Sequence, residues 1–273
     1  MCIIVKAQEA EATESEENII MKLMGYKREN GRYGVRNHLL IIPASVCSSE
    51  TAVNIAKLVD GAIAIPHQHG CCEIGDDFDT TKRTLVGFGK NPNVGAALVV
   101  GLGCEGIQAK EIADEIKTTG KPVEYIVIQE EGGTAKTVSK GVEIAGKMAR
   151  EISKQNKVEF DISEIILGLE CGGSDPTSGL ASNPSIGVAS DMLVSMGGSS
   201  ILSETTEVIG AEHLLYPRFE DENEGKKFLE MVKRVENRSI AAGHDLREGQ
   251  PTPGNKAGGL TTIEEKSLGC MHK

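Results

Sequence analysis

Short apolar runs of strand length recur along this chain. Each ends in glycine or in a cluster of Cys, His and Glu, and several are followed by a stretch with helical spacing. The first four are Leu39 to Ile42, Ala62 to Ile65, Ala96 to Val100 and Val123 to Ile128; Ile165 to Leu169 and Ser200 to Leu202 are candidates five and six. Nearly continuous apolar runs suit strands buried on both faces, and strands alternating with helices suit a parallel sheet. Ala52, Val53, Ile55, Ala56 and Val59 make one helix face, as do Ala109, Ile112, Ala113 and Ile116. A longer stripe, Ala135, Val138, Val142, Ala145, Ala149 and Ile152, predicts a helix capped by Thr134. Phe228, Met231, Val232 and Val235 predict a core-facing helix over 226–238. The expected fold is α/β: a doubly wound, mostly parallel, Rossmann-like sheet with an irregular C-terminal segment.

Three regions are expected. Residues 1–24 read as a mobile acidic leader, with five Glu between Lys6 and Lys22. Residues 25–248 read as one α/β core. Residues 249–273, opening with the turn-rich Pro251-Thr252-Pro253-Gly254-Asn255, read as the start of a truncated C-terminal domain.

Charge and composition exclude several classes of function. The formal charge of −11 repels a phosphate backbone, and four Tyr, five Phe and no Trp leave few rings to stack on bases, so no nucleic-acid partner is expected. No apolar run approaches the roughly 20 residues needed to cross a bilayer, so no membrane partner is expected. Seven Cys without a secretion signal read as reduced thiols or metal ligands in a cytoplasmic protein.

In open α/β sheets, ligands bind beyond the carboxyl ends of the strands. Those ends are where the reactive residues follow: His67, His69, Cys71 and Cys72 after the second run, Cys104 and Glu105 after the third, Cys171 after the fifth and Glu204 after the sixth. Imidazole and thiolate suit zinc or iron, and three Cys from separate loops suit an iron–sulfur cluster, although no CxxC spacing is present. Gly101 to Gly106 matches GxGxxG, but without the acidic residue that a dinucleotide site needs about 20 residues on. Gly132-Gly133-Thr134 and Gly172-Gly173-Ser174 offer backbone N–H groups to an anion or simply make tight turns. Arg32 and Arg36 lie just before the first run and suit a carboxylate or remain solvated.

Taken in order, Gly25 to Asn37, Pro66-His67 with Gly70-Cys71, Gly101 to Glu105, Gln129 with Gly132 to Thr134, Cys171 to Asp175, Asn183-Pro184, Ser203 to Thr205 and Pro253 to Gly259 resemble the large domain of the altronate/galactarate dehydratase family. The resemblance runs from about Gly25 to the last residue. It implies a hydro-lyase that dehydrates a sugar acid by proton abstraction next to a carboxylate and β-elimination of water. A related branch, the large subunit of sulfolactate sulfo-lyase, eliminates sulfite instead, and a non-catalytic subunit needing a partner is the remaining alternative. The implied cofactor is a divalent metal, Fe²⁺ first and Mn²⁺ second, with an iron–sulfur cluster ranked behind both. His67, Cys71, Cys104 and Cys171 are the implied metal ligands, and His67, Glu204 and Lys256 the implied catalytic groups. Arg36, Asn37, Gly133, Thr134, Gly172, Gly173, Ser174, Asp175, Asn183 and Asn255 are the implied substrate contacts. Expected partners are a small hydroxy-carboxylate, a separate small SAF-type subunit and further copies of the chain. The family's small N-terminal domain and its continuation past Gly269 are both missing from the sequence.

Overall fold

The computed structural model describes residues 3–6 and 21–271, in two compact units: residues 22–160, and residues 161–271 with 3–6 and 21. The division falls inside the stretch expected as one core. Within the expected leader, β1 (Ile3–Lys6) is a strand, in keeping with its three consecutive β-branched residues. The rest of that expectation, for residues 1–2 and 7–20, lies outside the described residues.

The unit 22–160 begins with β2 (Lys22–Lys27) and β3 (Tyr33–Gly34), which pair antiparallel. The alternating elements follow: β4 (His38–Pro43), α1 (Val46–Lys57), β5 (Ala62–Ala64), α2 (Gly75–Lys90), β6 (Val94–Gly101), α3 (Ala109–Lys117), β7 (Val123–Val127) and α4 (Thr134–Ile152). A last strand, β8 (Val158–Asp161), joins β2 and β3 in a small sheet, where Tyr33 and Phe160 stack with ring centroids 4.9 Å apart.

The main sheet is fully parallel, ordered β5-β4-β6-β7, with Leu39 to Pro43 of β4 in register with Ala96 to Val100 of β6. The two-residue period of a strand explains why its apolar runs are unbroken. Leu39 and Ile41 of β4 and Ala96, Leu98 and Val100 of β6 pack on Ala52 and Ile55 of α1 and on Ala145, Met148 and Ile152 of α4. Leu40, Ile42, Ala97 and Val99 face the other way, onto Leu85 and Val86 of α2 and Ile112, Ala113 and Ile116 of α3. Burying each Leu or Ile contributes about 1.5–3 kcal/mol, so these two layers dominate the unit's stability. The doubly wound parallel sheet is as expected. The expected Thr134 cap is not: Gly133 occupies the N-cap at φ +111°, a conformation that disfavours a side chain, and Thr134 is the first helical residue.

The unit 161–271 holds β9 (Ile166–Leu169), α5 (Asn183–Ser195), β10 (Ser199–Leu202), α6 (Glu212–Leu215), α7 (Glu222–Ala241), α8 (Leu246–Gly249), α9 (Pro253–Ala257) and α10 (Ile263–Cys270). Its sheet is β1-β10-β9, parallel between β10 and β9 and antiparallel at β1. Runs five and six therefore belong to a second sheet, not to the one formed by the first four. The periodicity of α7 is met: Phe228, Met231 and Val232 pack on Val208, Ile209, Leu215 and Ile263. The segment from Gly249 folds into short helices of this same unit, so its boundary as a separate domain is not seen.

Candidate functional site

In the unit 22–160, the carboxyl ends of β4 to β7 carry the loops with His67, Cys71, Cys104 and Gly133. His67 is held at both ring nitrogens. Its Nδ1 accepts from the His69 backbone N–H at 3.1 Å, which leaves Nε2 to donate to the Pro43 carbonyl at 2.8 Å. Both ring nitrogens thus brace the loop, and neither is left for a metal. Cys104 is exposed on the β6–α3 turn. Beside it, the buried Glu105 carboxylate accepts the backbone N–H groups of Leu102 (3.0 Å) and Gly103 (2.6 Å). These amides, which a phosphate would need, are already engaged, and the dinucleotide alternative falls with them. Arg36 and Asn37 precede β4 and so sit at the amino edge of the sheet, opposite His67. The Asn37 amide donates to Ile152 O and its Oδ1 accepts from buried Arg28, making it a structural brace.

In the unit 161–271, the parallel pairing of β9 and β10 brings Glu170-Cys171 and Ser203-Glu204 to one edge, where Ser203 Oγ donates to Leu169 O at 2.6 Å. The loop after β9 encloses a cavity of about 700 Å³, lined by Cys171 to Asp175, Ser178, Asn183, Glu207, Glu265 and Lys266, among others. The Cys171 thiol donates to Gly173 O at 3.6 Å and lies 3.5 Å from Ser174 Oγ.

One ligand atom each from Cys171, Glu204 and Glu207 lies within 4.8 Å of the other two. Among the described residues this is the one group of three such donors close enough to share an ion. A 3₁₀ turn over Thr205–Val208 explains the pairing of the carboxylates, because side chains three apart eclipse on such a helix. Burial, then the neighbouring Glu207 charge, pushes the Glu204 carboxyl above its usual range, against the smaller opposing effects of Thr206 and Lys266. Two carboxylates crowded with a thiol fit a divalent first-row metal, and three protein donors leave coordination positions open. A single thiol does not fit an iron–sulfur cluster, which is held by several.

The expected residues thus divide. Cys171, Gly172, Gly173, Ser174, Asp175 and Asn183 all line the cavity, and Glu204 joins Cys171. Asn255 reaches this loop by donating to Ser174 O at 2.6 Å. Asp175 acts as a cap within it: Oδ1 accepts from the Thr177 backbone N–H (2.7 Å) and hydroxyl (2.5 Å), and the hydroxyl bond leads in holding its carboxyl below the usual range. Lys256 is exposed on α9 and does not line the cavity; Lys266 on α10 does. Among the described residues, no group of three potential ligands includes His67, Cys71 or Cys104. Sequence reasoning missed Glu207 and Lys266. The E-x-x-E spacing from Glu204 was the signal for the first.

Residues 25–153 match the family described as D-galactarate dehydratase/Altronate hydrolase, second domain, and residues 162–273 match D-galactarate/Altronate dehydratase, C-terminal. The chain is 39% identical over 253 residues to (2R)-sulfolactate sulfo-lyase subunit beta of Chromohalobacter salexigens, covering 92% of this chain and 64% of that protein. It is 34% identical over 270 residues to altronate dehydratase of Bacillus subtilis, covering 95% and 53% respectively. With altronate dehydratase of Escherichia coli the identity is 36% over 259 residues, covering 91% and 52%. The chain therefore spans between about half and just under two thirds of the length of these curated relatives. Two matched domains in the family's order, one of them built around the cavity, lead to one conclusion: the chain belongs to the D-galactarate/altronate dehydratase family.

Proposed function

We propose that the chain is the metal-holding part of a lyase that removes water from a small hydroxy-carboxylate. The observation that carries this reading is the meeting of Cys171, Glu204 and Glu207 beside the cavity that Lys266 also lines. A proton next to a carboxylate is weakly acidic, and its loss builds negative charge on that carboxylate. A bound divalent cation, Fe²⁺ first and Mn²⁺ second, would offset that charge as a Lewis acid. Cys171 and Glu207 would be its main protein ligands.

The other roles fall to the chain. Lys266 and the N–H groups of Gly172 and Gly173 hold the substrate carboxylate, as preorganised donors do where charge develops. Glu204, its carboxyl raised above the usual range by burial and oriented by the Thr206 hydroxyl at 3.1 Å, takes the proton. Ser174 and Asn183 bind the substrate hydroxyls. His67, Cys104, Gly133 and Thr134 belong to the other unit's sheet edge and are assigned loop structure and backbone donors.

A second reading, elimination of sulfite from a sulfonated hydroxy acid, is favoured by the 39% identity to a sulfo-lyase beta subunit. That relative's subunit name also supports a separate partner chain. The same assay tests both. The anaerobic protein, co-purified with a small SAF-type subunit and supplied with Fe²⁺ or Mn²⁺, is offered altronate, galactarate and sulfolactate. Turnover of a sugar acid supports the first reading, release of sulfite the second. Silence on all three with metal bound contradicts both.

A further inference from the structure

The loop between β5 and α2 carries two adjacent thiols that the proposed lyase chemistry does not use. The Cys71 thiol donates to the Cys72 sulfur across 3.9 Å. Both residues are exposed, although free cysteine is among the most buried of residue types. An extended chain points successive side chains to opposite faces, so neighbours meet this way only where the backbone turns. It turns at Cys72, which has φ +57° and is the one non-glycine residue with positive φ among the described residues.

The surrounding loop holds that turn, as so disfavoured a conformation requires. Gly70, at φ +89°, lets the chain pass so close to the start of α1 that a Cβ there would stand 2.4 Å from Ala44 O. The Val46 N–H donates to His69 O at 2.8 Å, and both ring nitrogens of His67 pin the preceding turn. His69 Nδ1 and Glu73 Oε1 approach to 3.3 Å, closing the loop across the two cysteines between them. The sulfurs are thus held near one another before any bond forms.

We propose that Cys71 and Cys72 are a reversible oxidation site, which hydrogen peroxide closes to a vicinal disulfide and a small thiol reopens. The nucleophile is a thiolate, and the hydrogen bond to Cys72 leads in holding the Cys71 thiol above its usual range, so Cys72 attacks first. Its sulfur bonds to one peroxide oxygen, the O–O bond breaks, and the other oxygen leaves as water, giving a sulfenic acid. Cys71 then attacks that sulfur: the S–S bond forms, the S–O bond breaks and a second water leaves. Two thiols are oxidised and one peroxide is reduced. Reopening runs by exchange, in which two small thiols become a disulfide as the pair is reduced. Reversibility follows from the ring. Adjacent Cα atoms lie about 3.8 Å apart, short of the roughly 4.4–6.8 Å of ordinary disulfides, so the bond is strained. Strained, exposed disulfides are the readily reduced ones.

The test treats the reduced full chain with a small excess of hydrogen peroxide, blocks the remaining thiols in denaturant and reads tryptic masses. The expected result is that the peptide 58–82, which holds both cysteines, loses two hydrogens and takes up no blocking reagent. Reduced glutathione should return both thiols, and Cys47→Ser should leave the whole cycle unchanged. Cys72→Ser should slow oxidation of this peptide about tenfold, while Cys71→Ser should leave a sulfenic acid on Cys72 that dimedone traps. Four outcomes would overturn the proposal: an unmodified peptide, sulfinic acid without a bond, Cys71 joined to Cys47 instead, or a bond that glutathione does not reopen. None of these bears on the lyase reading, which rests on the other unit.

Discussion

The side-chain amide of Asn255 donates a 2.6 Å hydrogen bond to the backbone carbonyl of Ser174, 81 residues earlier. Its Oδ1 meanwhile accepts from the Thr252 hydroxyl at 2.6 Å, so the short α9 turn clamps the glycine loop that walls the cavity. Asn255→Ala removes the clamp and should cost about 1 kcal/mol of stability, as one hydrogen bond does. Hydrogen exchange at Gly172 to Asp175 should quicken while exchange in α7 stays unchanged. Equal quickening in both segments would refute a local clamp.

Glu204 links the cavity to pH. Burial, then Glu207, raises its carboxyl, so the folded chain holds more protons here than the unfolded chain once pH passes the ordinary carboxyl range. In chelator-treated protein this group's contribution to stability falls as pH rises through that window. Divalent ions compete with that proton, so their affinity should rise with pH over the same window. Glu204→Gln should stabilise the chelated chain at neutral pH, flatten both dependences and lower turnover far more than metal content. Urea unfolding and metal titration between about pH 5 and 7 check each part.

The two hydrogen bonds of His67 predict a positioning role. His67→Ala should leave Mn²⁺ binding at Cys171 unchanged and destabilise the β5–α2 loop by about 1–2 kcal/mol. For a unit of this size that is a fall in melting temperature of roughly 2–8 °C. Loss of Mn²⁺ binding with little change in melting would instead restore His67 as a ligand.

Lys121, in the unit 22–160, gives a second pH signature. Its buried ammonium donates to the carbonyls of Gly89 (2.8 Å) and Asn91 (2.9 Å); burial, then Arg28, lowers its pKa to about 8. The folded chain thus sheds this proton earlier than the unfolded chain, and the group's contribution to stability rises from about pH 8 towards 10.5. The difference in unfolding free energy between the wild type and Lys121→Met should grow across that range. A constant difference would contradict the lowered value.

How much of this was legible depended on periodicity. The runs at Leu39, Ala96 and Val123 and the stripes of α1, α3 and α4 are unambiguous because each element buries a continuous surface. Helix α2 carried a weaker signal, since only Leu85, Val86 and Gly89 of its 16 residues are buried. The switch to a new sheet at β9 was invisible, because a strand following a helix reads the same whether it extends one sheet or begins another. That is why a rim shared by six strands was expected where those six runs fall into two different sheets. Within the site, the glycine loop and Cys171 could be read as a motif. Glu207 needed the 3₁₀ turn that eclipses it with Glu204, and Lys266 needed the folding of α10 back onto the loop. Arg36 and Asn37 were misplaced by a simpler cause: they precede their strand, and so fall at its amino end.

The central claim is that Cys171 and Glu207, with Glu204 beside them, hold a divalent metal, and Mn²⁺ titration followed by electron paramagnetic resonance tests it most directly. One Mn²⁺ per chain in the wild type, with affinity lost at least tenfold in Glu207→Gln and in Cys171→Ser, is the predicted result. Undiminished binding in both folded variants would contradict it.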